Sequence, residues 1–420
     1  MRALCLAAVW MTLVACTPGT IGPDDAGGTG GGVATGGGAG GGAVGGGGGS
    51  IAGGGGGSVG GGSGGGSVGG GSGDAGTPTI YLADPTVTGH VLQVCPSGCA
   101  YTLPSLALAA AIPGDTIEIQ YGDYVDCAYV TQDNLIIRGI SNASGARPKV
   151  HSKVCGRKGI FVVGSASVLI DNLELYDAVD PTTNDKNWAC IRFDSAAGAR
   201  NLKVRNCWLH DADDGLLGNN TSTAPNVVVV EDTLFEQLGR DGYAHGMYLG
   251  TAVDLFVLRN SVVRSNHSDG HLVKSRALRN IIECNTIASL EGVNSYGVDL
   301  PQGGDATLRD NVLEAGPHLS NGGNFMVNFA EENGNNAPHK LVLTNNWLIN
   351  DYTVAGKVNL ALPADTTGWA NNRYVGAGSA PVLTNYTGPT AFTGFATRAA
   401  ASLAAYDMTV ASLPAPPRCP

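Results

Sequence analysis

Four short stretches place unlike polar groups at matching offsets: Asp214-Gly-Leu-Leu217, His245-Gly-Met-Tyr248, His271-Leu-Val-Lys274 and Tyr296-Gly-Val-Asp299. They begin 31, 26 and 25 residues apart. If each is a strand in successive coils of a repeat, Leu217, Tyr248, Lys274 and Asp299 fall in one column. Neighbouring strands lie about 4.8 Å apart, so the three polar members span a stripe about 10 Å long. Such a stripe holds what is needed to remove a proton α to a carboxylate. One group takes the proton, a cation neutralises the carboxylate, and an acid protonates the leaving oxygen. Lys274 or His271 is the candidate base, Arg276 the neutralising cation, and Tyr248 or His245 the acid. Asp299, Arg279, Arg240, Asp214 and Arg192 are candidates for substrate binding.

Side chains alternate along a strand, so the first and third positions of each stretch share a face. Leu216, Met247, Val273 and Val298 are apolar and suit a core. Strict alternation therefore buries His245 and His271, unless a bend near Gly246 turns them outward. A lone buried histidine is more often a hydrogen-bonded core residue, and Lys274 with Arg276 can be a solvated face. Three unlike polar groups at one register favour a site over either reading.

The element that positions this column is a repeat. Short apolar runs close on Gly139, Asn172, Asn206, Asp232, Asn260, Asn285, Asn311, Asn346 and Asn372. Their spacings are 33, 34, 26, 28, 25, 26, 35 and 26 residues. A period of this size marks a solenoid whose repeats bury their faces against one another. The runs hold four to six residues rich in Val, Ile and Leu, followed at once by a second short run. No repeat has room for two helices of roughly 10 to 15 residues. Asparagine tolerates the left-handed backbone of a corner, and stacked copies can hydrogen-bond as a ladder. The expected fold is all-β, a single-stranded parallel β-helix, with a short capping helix over Leu103–Ala111, stopped by Pro113-Gly114, and a strand at Thr116–Gln120.

Four regions are expected. Residues 1–15 read as an export signal, because the apolar ALCLAAVWMTLV stretch is too short for a membrane anchor. Residues 16–78 form a Gly/Ser-rich flexible tether, 79–390 the β-helix and 391–420 a C-terminal cap. The tether cannot bury enough apolar surface to offset its ordering entropy. A net charge of -11 argues against nucleic acid and anionic membrane surfaces as partners. Of ten cysteines, Cys5 leaves with the signal. Cys95, Cys99, Cys127, Cys155, Cys190, Cys207, Cys284 and Cys419 form an even set suited to disulfides in an exported domain. Cys95-Pro-Ser-Gly-Cys99 suits a local staple, and Cys419 suits pinning the C-terminus. Zinc is the weaker alternative, since one CxxxC lacks a partner pair. No cofactor is required by the pattern; calcium through Asp and Asn oxygens is conceivable, though no acidic cluster is dense enough to assign. A monomer is expected.

Several motifs resemble known families. Leu13-Val14-Ala15-Cys16 is similar to a bacterial lipobox, which implies lipidation of Cys16, attachment to the bacterial envelope and membrane contact through that anchor only. The helix, the GDTI strand and the following G-x-Y turn resemble the entry of pectate-lyase-like right-handed β-helices, which implies the right-handed coil sense over about residues 95 to 390. The HLVKSR stretch looks like the lysine and arginine pair of β-helical alginate and chondroitin-type lyases. That resemblance implies Lys274 as base and Arg276 as acid or neutraliser. Those families set the pair about one rung apart, so Arg279 and Arg240 are alternatives to Arg276. Asp213-Asp214-Gly with Gly242-Tyr-Ala-His245-Gly resembles β-helical polygalacturonases and makes Asp213, Asp214, Asp241 and Asp269 hydrolase candidates. The leading expectation is a polysaccharide lyase on an acidic glycan. The alternatives are a hydrolase, an epimerase sharing the lyase's first step, or a glycan-binding lipoprotein using Asn219, Asn220, Thr221, Asn328, Glu331 and Glu332.

Overall fold

The computed structural model describes residues 81–179, 188–194, 197–218, 226–240, 243–320, 324–332 and 334–420. The expectations for the signal, Cys16 and the 16–78 tether lie outside the described residues, as do residues 79–80 and Asn219, Asn220, Thr221, Asp241 and Gly242.

The chain deals one strand in turn to each of three sheets. One coil, for example, runs through Ala166–Asp171, Glu174–Tyr176 and Ala189–Phe193. Among the described residues, sheet 1 stacks ten strands, sheet 2 eleven and sheet 3 ten, neighbours pairing in parallel from coil to coil. The architecture is a right-handed parallel β-helix, the sense that parallel crossovers almost always take. The β-branched and leucine runs explain the strands. In sheet 1, Ile137, Ile170, Val204, Val230, Leu258, Ile282, Leu308 and Leu343 stack in register, all fully buried. Each contributes about 1.5–3 kcal/mol by burial. A helix over Pro104–Ala110 sets Ala107 and Leu108 into the same core near its N-terminal end. The strand Thr116–Gln120 forms as the sequence indicates.

The corner from sheet 1 to sheet 2 divides the asparagines into two kinds. Asn172, Asn206, Asp232 and Asn260 adopt the left-handed backbone, with φ between 50° and 57°. In later coils that conformation falls one residue earlier, on Cys284, Asp310, Asn345 and Asn371. Asn285, Asn311, Asn346 and Asn372 are instead fully buried and form the ladder. Each of the first three donates from its side-chain Nδ2 to the next Oδ1 at 3.0 Å. Thr233 and Ser261 occupy the ladder position in earlier coils, where their hydroxyls accept the backbone N–H of Cys207 and Thr233. Gly139 is not a corner. It pairs inside Leu135–Ile140, where a Cβ would meet the Asn172 carbonyl at 2.0 Å.

Among the described residues, three disulfides form: Cys95–Cys99, Cys127–Cys155 and Cys284–Cys419. The expectation of pairing fails for Cys190 and Cys207, which are free, buried thiols in the core. Cys190 donates to the Leu175 carbonyl, Cys207 to those of Ile170 and Arg205. Both act as small apolar residues with a weak donor, and burial pushes both thiols well up.

Candidate active site

Sheet 3 reproduces the register read from the sequence. Leu216, Met247, Val273 and Val298 stack in the core, whereas Arg192, Leu217, Tyr248, Lys274 and Asp299 pair side by side. The column continues into Asn328, Asn359 and Thr384. Neighbouring members are hydrogen-bonded there. Asn328 donates to Asp299 at 2.8 Å, Asn359 to Asn328 at 2.8 Å and Thr384 to Asn359 at 2.7 Å.

The histidines join the stripe because the strands break alternation. Leu272 and Val273 are consecutive and both fully buried, as are Met326 and Val327 in a later coil. Two inward residues in succession put the residue before them on the same side as the residue after them. Cys190 and Ile191 repeat the pattern in an earlier coil, and in three others glycine fills the first inward slot. A Cβ on Gly215, Gly246 or Gly297 would meet a carbonyl oxygen of the next coil at 2.4–2.8 Å. The rings of His245, His271 and Tyr296 therefore stack at 4.8 and 4.5 Å along the coil axis, beside the Tyr248–Lys274–Asp299 column. The His245 and Tyr248 rings meet edge to face at 5.7 Å. His271 Nε2 lies 3.4 Å from Asp299 Oδ2.

The loop after Phe325–Phe329 covers the stripe. Its Glu332 carboxylate accepts two bonds from Arg276 at 2.6 Å each and one from Lys274 at 3.2 Å. Lys274 Nζ also lies 3.4 Å from Asp299 Oδ2, so the ammonium sits between two carboxylates. Arg276 donates to the Tyr248 hydroxyl, with its guanidinium 5.0 Å from that ring centroid. Glu331 accepts from Asn328 at 2.6 Å. The sequence names Glu331 and Glu332 as sugar ligands, but the stripe's register gives no sign that Glu332 closes over both cations. A pair of acidic residues just past the Asn328 strand is the only signal for it.

Burial and charge push these groups in different directions. Burial raises the Asp299 carboxyl to about 6 despite Lys274 and the Asn328 donor. Burial would also raise Glu332, but Arg276 and Lys274 outweigh it and hold that carboxyl below its ordinary range. Desolvation, with Lys274 second, lowers His271 to about 3. Desolvation, followed by the charges of His271, Lys274 and Arg276, lowers His245 well below its usual value. Both imidazoles are neutral at pH 7, so the His271–Asp299 approach pairs an uncharged ring with a carboxylate and is not an ion pair.

Other candidates are placed differently. Asp214 is buried at the head of the stripe, where its Oδ1 accepts the His245 N–H at 2.8 Å; burial raises its carboxyl well above the usual value. Arg192 precedes Leu217 in the column. Arg279 lies on sheet 1, paired with Leu255 and Asp305, away from the stripe. Arg240 is an exposed loop residue, and no contact joins it to the stripe among the described residues. Asp213 is buried beside Asp214 in sequence, and the Asp269 carbonyl accepts from Ser295. Among the described residues, no cluster of three or more His, Cys, Asp or Glu is arranged to hold a metal.

No known family profile and no curated protein matches the chain. Solved structures of similar shape include the pectin methylesterase of Aspergillus niger, at 12% identity and TM-score 0.41, covering 71% of this chain and 94% of that one. Pectate lyase Pel9A is similar at 14% identity and TM-score 0.44, with 72% and 80% covered. A mutant of the family PL6 alginate lyase AlyGC is similar at 14% identity and TM-score 0.35, with 72% and 50% covered. At these identities the likeness concerns the fold alone.

Proposed function

We propose that the sheet 3 stripe cleaves an acidic polysaccharide by β-elimination. The observation that carries this reading is the grip of Arg276 and Lys274 on the Glu332 carboxylate, bidentate from the guanidinium. A site built to hold one carboxylate against two cations suits a uronate carboxylate in its place. With the substrate carboxylate on Arg276, charge developing on the α carbon is neutralised. Lys274 takes the α proton after passing its own to Asp299, which is 3.4 Å away and tuned to about 6. The α–β double bond forms, the β carbon–oxygen bond breaks, and the leaving oxygen takes the Tyr248 proton. His245 and His271, held neutral, line the stripe and add no charge to repel the cations.

Hydrolysis is the second reading, favoured by one observation. Asp299 and Glu332 are carboxyls pushed in opposite directions, one on each side of Lys274, as an acid and base pair requires. Incubation with alginate, pectate and glycosaminoglycans separates the two. Elimination creates a conjugated double bond that absorbs in the ultraviolet; hydrolysis yields reducing ends without it. Lys274→Ala should abolish the absorbance gain while circular dichroism stays unchanged, and retained turnover removes Lys274 from the mechanism. Binding with neither product would leave a glycan-binding protein.

Three disulfides fit an oxidising compartment outside the cytoplasm. The lipobox and glycine-rich segment support a domain tethered to the bacterial envelope through a lipid on Cys16. Cys16→Ser should release the protein from the membrane fraction, and unchanged retention would reject the anchor.

A further inference from the structure

A second groove lies outside sheet 3, at the corner of sheets 1 and 2 near the C-terminal end. It encloses about 510 Å³, within the roughly 300–1,000 Å³ typical of ligand sites. Its floor is the run of left-handed corners Asp310, Asn345 and Asn371, one per coil. One wall is the outward column Trp347, Arg373 and Thr393, in register on adjacent strands of sheet 2. The opposite wall is the tail segment Ala415, Pro416 and Pro417.

That wall is fixed at both ends. Leu413 packs with Ile349 and Val375 before it. Beyond it, Cys419 is joined to Cys284, and its N–H and carbonyl bond the Asn260 side chain at 2.9 and 3.1 Å. The Arg259 guanidinium also holds the Pro420 carbonyl at 2.7 Å. The groove is thus preorganised, and a ligand entering it orders little.

We propose that this groove is a non-catalytic glycan-binding site, in which a polysaccharide segment lies along the coil axis. The exposed amides of Asn345 and Asn371 offer paired donors and acceptors. The Arg373 guanidinium, stacked 4.7 Å from the Trp347 ring, supplies a rigid fork of donors beside an aromatic surface. Asp310 supplies an acceptor at the far end, so the wall and floor carry both signs of charge. Groups repeat about every 4.8 Å, one per coil, which is close to the length of a pyranose ring. Recognition therefore runs through sugar hydroxyls, with no need for net charge on the glycan. The site is independent of the elimination reading and would stand if that reading failed.

Affinity electrophoresis of the full chain carrying Lys274→Ala and Arg276→Ala removes the sheet 3 contribution. Gels containing polygalacturonate, alginate or a neutral glucan supply the probes. At least one should retard this protein. Adding Asn345→Gly with Asn371→Gly, which keeps the left-handed backbone, should weaken that retardation roughly tenfold or more, as should Arg373→Ala. Trp347→Phe should retain part of it, and equal thermal melting of the variants shows that folding is intact. Retardation unchanged by the groove substitutions, or absent in all three gels, overturns the proposal.

Discussion

Replacing Asp299 with Asn tests whether the stripe is tuned by burial. Asp299 is almost fully enclosed, and burial raises its carboxyl from 3.8 to about 6 against the pull of Lys274. A native carboxyl raised above its unfolded value favours the protonated protein. Its contribution is therefore fully present below about pH 3.8 and is lost as pH rises through about 6. At about 1.4 kcal/mol per pH unit the loss totals about 3 kcal/mol, of which about 2 kcal/mol falls between pH 4.5 and 7.5. Asparagine keeps the shape and the oxygen that accepts from Asn328, but it never ionises. Asp299→Asn should thus gain about 2 kcal/mol relative to the parent on going from pH 4.5 to 7.5. Guanidinium unfolding followed by tryptophan fluorescence across that range gives both curves. Curves that stay parallel would refute burial as the dominant influence and leave the Lys274 ion pair in charge of Asp299.

Glu332→Ala frees Arg276 and Lys274. Because Glu332 is about one-third exposed, stability should fall by no more than about 1 kcal/mol, whereas the KM for uronate oligosaccharides should drop several-fold. A raised KM would show that Glu332 assists binding instead of occupying the substrate carboxylate's place. Asn311→Ala should destabilise by about 3–5 kcal/mol in denaturant unfolding, since it strips the Asn285 N–H of its acceptor and the Ile282 carbonyl of its side-chain donor in the core. Asn345→Ala, at the adjacent exposed corner, should cost only about 1 kcal/mol from left-handed strain. Equal losses at the two positions would show that the buried ladder adds no more than the corner does.

The repeat was legible because its spacing is a one-dimensional signal, and aligning coils by it put Tyr248, Lys274 and Asp299 in one column. The same signal misassigned the asparagines. Asn-Asn and Asp-Asn pairs such as Asn345-Asn346 and Asp310-Asn311 contain a corner and a ladder residue side by side. Spacing alone cannot divide such a pair; burial divides it, because only the second residue faces the core. The cysteines failed for a related reason. Eight is an even number, yet pairing depends on which coils bring two Cβ atoms together, and Cys190 and Cys207 lie where core packing already satisfies them. Glu332 was hidden by topology, since a loop residue 58 positions beyond Lys274 enters the site only once the coil has closed.

The histidines show how a local departure from strand geometry makes the site. With strict alternation, a stripe on sheet 3 would hold one polar residue per coil, each separated from the next strand position by the core. Packing Leu272 with Val273, and Met326 with Val327, spends two residues on the core and returns both flanking side chains to the outer side of sheet 3, where the covering loop still buries some of them. Each coil then presents two groups: His245 with Tyr248, His271 with Lys274, Tyr296 with Asp299. The glycines in the equivalent slot at 215, 246 and 297 are the sequence trace of that double inward step, because the neighbouring carbonyl leaves no room for a Cβ. Two inward residues repeated in register turn one column into two. That doubling brings a neutral imidazole within reach of the Asp299–Lys274 pair, where proton transfer is proposed to occur.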